Sequence, residues 1–292
     1  MIGETSKFSQ LFLDGKRIEA LWIPPSRRQS VSERQEALHS GEALRSENVT
    51  QSSCNECTLV MLHGGLGTIG IWKDLPQRLA QTTGYGVLAY DRYGNGGSQP
   101  LDGKRPVSYM HHEGEGVLPE LLAKLSIQKP ILIGHSDGGS IAIIYAGKFP
   151  ERVRGLILLA PHVFVEEISL RGALNAKAEF ERSDLRQKLA KYHDDVDATF
   201  WGWNDIWLDP QFRTWNLESY LPQIRCPVLL IQGEQDEYGT VAQLESIRAR
   251  VPQSEMLLLP ECGHSPDRDA PETVLARMTE FIAGLDRIPR PK

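Results

Sequence analysis

Residues 130–148, PILIGHSDGGSIAIIYAGK, decide how the rest of the chain is read. Pro130–Gly134 is a short, continuous apolar run, the pattern of a strand buried on both faces. Ser140–Lys148 follows with Ala and Gly set among Ile, a helix whose small side chains suit close packing on a sheet. Between them, Gly134-His135-Ser136-Asp137-Gly138 matches G-x-S-x-G, a sharp strand-to-helix turn that lifts a serine hydroxyl to the C-terminal edge of a sheet. Side chains two residues either side of that serine would collide, and Gly134 and Gly138 carry none. The bland reading of the same residues is a glycine-rich turn holding an incidental serine.

The same rhythm extends in both directions. Upstream, Gln10–Leu13 and Arg17–Ile23 read as strands joined at Asp14-Gly15, a hairpin signal. Thr58–Leu62 (TLVML) and Tyr85–Tyr90 (YGVLAY) read as buried strands, separated by a helix near Lys73–Gln81, and a further helix ends near Leu125. Downstream come strands over Val153–Ala160, Cys226–Gly233 and Glu255–Pro260, with a closing helix over Pro271–Leu285. Short β-rich runs alternating with amphipathic stretches predict helices layered on a mostly parallel sheet. Two segments break the pattern. Pro24–Cys57 is polar, rich in Ser, Arg, Glu and Gln, and reads as a surface insertion with one short helix near Glu33–Leu38. Pro161–Tyr220 loses its β signal and becomes helical in pattern, first charged and then aromatic.

Composition bounds the function. The chain has 292 residues, enough to bury a sizeable core, with 32 basic against 38 acidic side chains and a net charge of −6. That mild acidity argues against nucleic acid as a partner, since phosphate neutralisation needs clustered Lys and Arg. No apolar run approaches the length of a membrane span, and MIGETSKFSQ lacks the basic start and apolar core of a secretory signal. Four cysteines make no disulfide scaffold, so the expected setting is a reducing cytoplasm. Cys54-x-x-Cys57 has the spacing of half a zinc site, but Cys226 and Cys262 do not complete it, and no metal is expected.

A serine hydroxyl needs a base before it attacks anything. Of eight histidines, His63 and His135 lie inside backbone turns, and His111 and His112 are helix neighbours whose side chains diverge. His39 and His193 sit in polar segments, and His162 follows the Val153–Ala160 strand. His264, in Cys262-Gly263-His264-Ser265-Pro266, follows the last strand, where a loop carries it over the sheet edge, and is the best base. A carboxylate must fix its tautomer. Asp236, three residues past Gly233, is chosen for this, with Glu234 and Glu237 as fallbacks. An oxyanion formed at Ser136 needs backbone donors. Asp137 offers one from a helix N-terminus, and His63-Gly64-Gly65-Leu66-Gly67 offers the other, from Gly65 or else Leu66. No Lys-Ser/Thr pair follows those glycines, so a phosphate loop is excluded.

The motifs HGGLG (63–67), DRYGNGGS (91–98) and GHSDGG (134–139), followed in order by Asp236 and His264, resemble those of α/β-hydrolase fold enzymes. Within that superfamily, Ser-Asp-Gly-Gly is most similar to the valacyclovir hydrolase-like (biphenyl hydrolase-like) serine esterases. The resemblance covers nearly all of the chain outside residues 24–57. It implies a mostly parallel eight-stranded sheet flanked by helices, a core over 1–161 and 221–292, and a helical cap at 162–220. It also implies that DRYGNGGS is a structural turn shaping the site floor, and that Ser136 disfavours the epoxide- and halide-cleaving branches, which carry Asp there. The implied activity is cleavage of a small-molecule carboxylic ester, thioester or activated amide, without cofactor. Carbon–carbon hydrolysis of ring-cleavage dienones uses the same residues, though Ser265 stands where those enzymes carry a bulky aromatic. The same residues would also serve a perhydrolase side reaction, or a small-molecule receptor built on this fold.

Two expectations concern side chains around the site. Four of the six tryptophans fall within Trp201–Trp215, where they form the cap's own small core or a wall over the acyl pocket; Trp201, Trp203 and Trp207 are the candidates for substrate contact. Asp137 either neutralises its helix N-terminus or, if its carboxylate reaches the pocket, favours substrates bearing an amine.

Overall fold

The computed structural model describes residues 6–25 and 58–287. Apart from its first two residues, the polar insertion expected at 24–57 lies outside these, and with it the helix near Glu33–Leu38 and the Cys54/Cys57 pair. Eight strands form one sheet: β1 (Lys7–Leu13), β2 (Lys16–Ile23), β3 (Thr58–Leu62), β4 (Gly86–Tyr90), β5 (Ile131–His135), β6 (Gly155–Leu159), β7 (Val228–Gly233) and β8 (Ser254–Leu259). Their order across the sheet is β1-β2-β4-β3-β5-β6-β7-β8. β1 pairs antiparallel with β2, and β2 with β4; every other pairing is parallel.

The local causes are those read in the sequence. Asp14 and Gly15 both take positive φ (49° and 69°), the conformation of a primed hairpin turn, and fold β1 back on β2. The parallel strands are apolar at nearly every position because both faces are covered. Val60, Leu62, Leu132, Leu156, Leu158 and Leu230 point into one core, while Leu59, Met61, Ile131, Ile133, Ile157 and Ile231 point into the other. The second core is closed by the helices Leu75–Thr83 and Pro271–Leu285. The first of these sits two residues beyond its expected place, because Pro76 opens it and Gly84, at φ 75°, ends it.

Topology places the site. From β3 the chain moves to β4 on one side, whereas β5 lies on the other, so the order reverses between β3 and β5. In an open α/β sheet the C-terminal ends flanking such a switch point form a crevice. The loop His63–Gly67 leaves β3 there and Ser136 leaves β5. The helix after Ser136 begins at once, at Asp137, and is buried along its length from Asp137 to Gly147. A helical stretch over Tyr109–Lys124 packs on it, widened by a π turn at Glu113–Val117 that periodicity does not announce. On that stretch His111 and His112 do diverge, one toward the Tyr220 ring and the other to Asp14 at 3.0 Å.

Between β6 and β7 run the helices Glu167–Arg182, Leu185–Leu189 and Val196–Trp207 and a short 3-10 turn, Pro210–Thr214. The two ends of this excursion are stitched together: Phe164 bridges Asn216, and Leu217 N–H donates to the Val163 carbonyl at 2.7 Å. Its aromatic residues pack on one another, with Phe180 stacked on Phe200 (centroids 3.7 Å) and Phe212 between Trp207 and Trp215. No helix among the described residues is long and apolar enough to cross a membrane.

The turn at Ser136 is also packed without room to spare. A Cβ on Gly138 would lie 2.0 Å from the Leu62 carbonyl oxygen of β3, with no flexible side chain to give way. Gly138→Ala is therefore expected to cost about 3 kcal/mol, read as a lowered urea midpoint. An unchanged midpoint would contradict this contact.

Candidate active site

Ser136 takes φ 52° and ψ −120°, the left-handed side of backbone space, where a residue with a Cβ is strained. Its N–H donates to the Leu159 carbonyl at 2.9 Å and its carbonyl accepts from Ser140 N–H, which pins the bend between β6 and the following helix. A Cβ on Gly134 would lie 2.4 Å from the Gly138 carbonyl oxygen, so the turn closes on itself only with glycine at 134, while β3 requires it at 138. The hydroxyl is thereby held 2.9 Å from His264 Nε2. On the other side of the ring, His264 Nδ1 lies 2.8 Å from Asp236 Oδ1. Residues 128 and 28 apart in sequence thus form one continuous hydrogen-bonded run.

The loops that deliver His264 and Asp236 are zipped together. Glu234 N–H donates to the Leu259 carbonyl and Gln235 N–H to that of Cys262, both at 2.9 Å. Glu237 accepts from His264 N–H and Asp269 from Gly263 N–H. Asp236 Oδ1 also accepts from Tyr238 N–H (2.8 Å) and Gly239 N–H (3.2 Å), so the carboxylate closes its own turn, as a short Asp side chain does. The fallback acids differ: Glu234 and Glu237 are exposed, and Glu237 holds backbone rather than the ring.

A harness of side chains from DRYGNGGS holds the loop after β3. Arg92, fully buried, donates to the His63 carbonyl and, at 2.9 Å, to that of Gly64. Asn95 donates to the carbonyls of Gly65 (2.9 Å) and Gly67 (3.2 Å), and Asp91 accepts from Ile69 N–H. His63 donates from Nδ1 to the Gly64 carbonyl and accepts from Arg92 N–H at Nε2, a purely structural use of both ring nitrogens. In a trans peptide the C=O and the next N–H point opposite ways. Carbonyls drawn down to Arg92 and Asn95 therefore turn the N–H groups of Gly65 and Leu66 away from that floor.

A cavity of about 230 Å³ opens over Ser136 and His264. Gly64, Gly65, Trp72, Trp203, Trp207 and Tyr238 are among the residues that wall it. Trp203 and Trp207 belong to the packed aromatic core as well as to this wall, so the two roles considered for them coincide. Trp203 lies so close to the loop that a Cβ on Gly65 would be 2.1 Å from its ring. Trp201 corrects the sequence reading: it packs on Phe180 and Phe200 beneath the Lys177 ammonium and does not line the cavity, because its helical position turns it to the opposite face. The amine-binding idea for Asp137 fails in the same way. Its side chain has no exposed surface and accepts from the Tyr109 hydroxyl behind the turn, outside the cavity lining. The sequence reading assigns no site role to His135, His162 or Tyr238, yet all three line the cavity. Each ends or follows a strand at the sheet's C-terminal edge, and that placement is the signal that could have found them.

Electrostatics separate the histidines. Burial alone would push His264 down, but the charge of Asp236 and its hydrogen bond outweigh that and hold the ring above its usual value. Burial would raise Asp236, but the His264 charge, its hydrogen bond and the Tyr238 N–H instead hold the carboxyl below the usual range. Burial lowers His63, helped by Arg92, and lowers His135, helped by His264. His162 falls to about 3, through burial and then the His264 charge. Of the histidines lining the cavity, His264 is the one hydrogen-bonded to a carboxylate, so it alone combines a basic ring with a serine hydroxyl.

The sequence model of the alpha/beta hydrolase family matches residues 59–277, and the chain belongs to that family. Serine hydrolase BPHL of Homo sapiens is 26% identical over 187 residues, a match spanning 61% of this chain and 63% of the human protein. The Mus musculus protein of the same name is 26% identical over 72% of this chain and 74% of its own length. The expected likeness to biphenyl hydrolase-like enzymes is thus borne out. A putative 2-succinyl-6-hydroxy-2,4-cyclohexadiene-1-carboxylate synthase of Bacillus subtilis is 27% identical over 78% of this chain and 90% of that protein. Among solved structures, proline iminopeptidase of Mycobacterium smegmatis superposes with a TM-score of 0.68 at 18% identity, covering 96% of this chain and 99% of that one. Naproxen esterase of Bacillus subtilis gives 0.66 at 18% identity, over 94% and 91%. These likenesses establish the fold, in agreement with the family match.

The harness yields a test of its own. Arg92→Met leaves the His63 carbonyl without its guanidinium donor, while the Gly64 carbonyl keeps the His63 ring and the Gly67 N–H; a buried unpaired acceptor costs about 1–3 kcal/mol. Chemical denaturation should show a loss of about 1–3 kcal/mol. Arg92→Lys should recover only part of it, since an ammonium lacks the planar fork that spans two carbonyls.

Proposed function

We propose that this chain is a serine hydrolase that cleaves a small-molecule carboxylic ester through an acyl-enzyme on Ser136. The observation that carries the reading is the run Ser136–His264–Asp236, with contacts of 2.9 and 2.8 Å, opening on a largely apolar cavity. His264 Nε2 takes the hydroxyl proton as Oγ attacks the ester carbonyl carbon. The same proton then goes to the departing alkoxide, so alcohol leaves and the acyl group stays on Oγ. Water enters, gives a proton to His264 and attacks the acyl carbon; the carbon–Oγ bond breaks, Ser136 is reprotonated and the acid departs. Asp236 keeps the proton of His264 on Nδ1 and stabilises the imidazolium.

The oxyanion is held by the N–H groups of Asp137, at a helix N-terminus, and Gly65, whose peptide is aimed by the pull of Arg92 on the Gly64 carbonyl. The helical excursion at 162–220 acts as the cap, with Trp203 and Trp207 as the acyl wall. Relatives named as serine hydrolase and neighbours named as esterase support an ester; those named as proline iminopeptidase keep amide cleavage in view as a related activity.

Two measurements test the scheme. Ser136→Ala should lower kcat on p-nitrophenyl esters by on the order of 10⁵–10⁶ and abolish labelling by a fluorophosphonate, with its unfolding midpoint retained. Substantial turnover by that variant would overturn the assignment. The pH profile carries a sign as well. The base works as neutral imidazole, and Asp236 raises His264 above its ordinary 6.5, so kcat/KM should climb with pH through an apparent pKa above 6.5. Asp236→Asn removes the charge responsible; the acid limb should move down in pH while kcat falls by on the order of 10⁴. A wild-type limb centred at or below 6.5 would contradict the coupling.

A further inference from the structure

Among the described residues, His162 is the one cavity-lining histidine with a buried ring nitrogen, Nδ1, that has no hydrogen-bond partner. It is only 2% exposed, yet it contributes to the cavity wall. The residue is firmly placed. Its carbonyl accepts from Ser140 Oγ at 2.7 Å, and the next two N–H groups, of Val163 and Phe164, donate to Gln243 Oε1. Two residues earlier, Ala160 is held at φ 45°, the kind of strained backbone that persists where surroundings enforce it. The ring stands edge-on to Trp207, with centroids 4.9 Å apart, and 5.6 Å from the His264 ring.

The ring's orientation decides what it offers. A Cβ placed on Gly239 would lie 3.3 Å from Cε1 and 3.5 Å from Nδ1, so the Nδ1–Cε1 edge faces the Gly239 backbone. Among the described residues Nε2 also meets no hydrogen-bond partner, yet unlike Nδ1 it is not sealed from the surface, so in a ring this buried its open side is the cavity. Burial keeps the imidazole neutral, so it carries a single N–H. Putting that hydrogen on Nδ1 would bury an unpaired donor, a rarer and costlier arrangement than an unpaired lone pair. The tautomer with hydrogen on Nε2 presents a donor beside the acyl wall.

We propose that His162 is a specificity residue of the acyl pocket, donating from Nε2–H to a carbonyl oxygen carried on the substrate's own acyl chain, as in an oxo-acid ester. The inference rests on the serine-esterase reading and deepens it. A donor beside Trp207, in a cavity that Trp203 and Leu189 also wall, is left unpaired by a plain alkyl chain, and such a site discriminates against analogues lacking the acceptor. His264 keeps its role as base, since it is the ring whose Nε2 meets the Ser136 hydroxyl.

The test compares p-nitrophenyl 4-oxopentanoate with pentanoate, and 5-oxohexanoate with hexanoate, each kcat/KM divided by the alkaline hydrolysis rate of the same ester. Wild type should favour the oxo ester of at least one pair about fivefold or more. His162→Phe should bring that ratio close to one, and His162→Gln, which keeps an N–H donor, should recover part of it. A ratio the same in His162→Phe as in wild type, or no oxo preference in wild type, overturns the proposal. Should His162→Phe not fold, the free acids 4-oxopentanoate and pentanoate titrated into Ser136→Ala, followed by tryptophan fluorescence, must show the same preference, and equal affinities overturn it. Fluorophosphonate labelling keeps the two readings apart: a wild-type chain that neither labels nor turns over these esters defeats the serine mechanism, whereas normal labelling with equal ratios defeats only the role of His162.

Discussion

The site depends on a backbone bend that the chain makes only under constraint. Ser136, at φ 52°, holds a conformation whose strain is of order 1–3 kcal/mol, and it is kept there by β3 on one side and β6 on the other. It is not alone. Ala160 follows β6 at φ 45°, and Glu261 follows β8 at φ 53°. Three of the strands that end at this edge are thus followed within two residues by a side-chain-bearing residue with positive φ, and each bend redirects a loop toward the same crevice. The layered packing of the sheet supplies the rigidity that holds these bends, while the loops supply the chemistry.

The electrostatic arrangement follows from the same geometry. Four imidazoles line one small cavity, those of His63 and His162 buried and those of His135 and His264 half-buried. Loss of water by itself would leave each of them a weak base. A carboxylate delivered by the turn after β7 reverses that for His264, whereas the rings of His63, His135 and His162 all stay below their usual value and neutral. Among these four rings the readiness to take a proton is therefore concentrated at His264, the ring that meets the Ser136 hydroxyl.

Much of this is legible in the amino acids. The glycine-flanked serine, the order serine–aspartate–histidine and the apolar runs locate the sheet, the turn and the hydrogen-bonded relay, because these depend on local backbone sterics and on strand burial. Asp236 is preferred over its glutamate neighbours from its place three residues past Gly233, and the structure adds that its short carboxylate caps its own turn. What stays hidden are directions rather than positions. Trp201 and Trp203 are two apart on a helix, which is enough to send one ring to pack on Phe180 and Phe200 and the other to the cavity. Asp137 sits beside the serine yet aims at Tyr109, a partner 28 residues away that no pattern connects to it. The grip of Arg92 and Asn95 on four carbonyls is equally invisible, since a side-chain-to-backbone bond leaves no periodicity in sequence.

The stitch at the base of the helical excursion has a wider meaning. Phe164 and Asn216 meet as neighbours outside the sheet, so the intervening residues start and finish at nearly one point. Material added or removed within that span changes the roof of the cavity without displacing β6 or β7. A lineage built on this plan can therefore trade one roof for another while Ser136, His264 and Asp236 below stay where the strands put them.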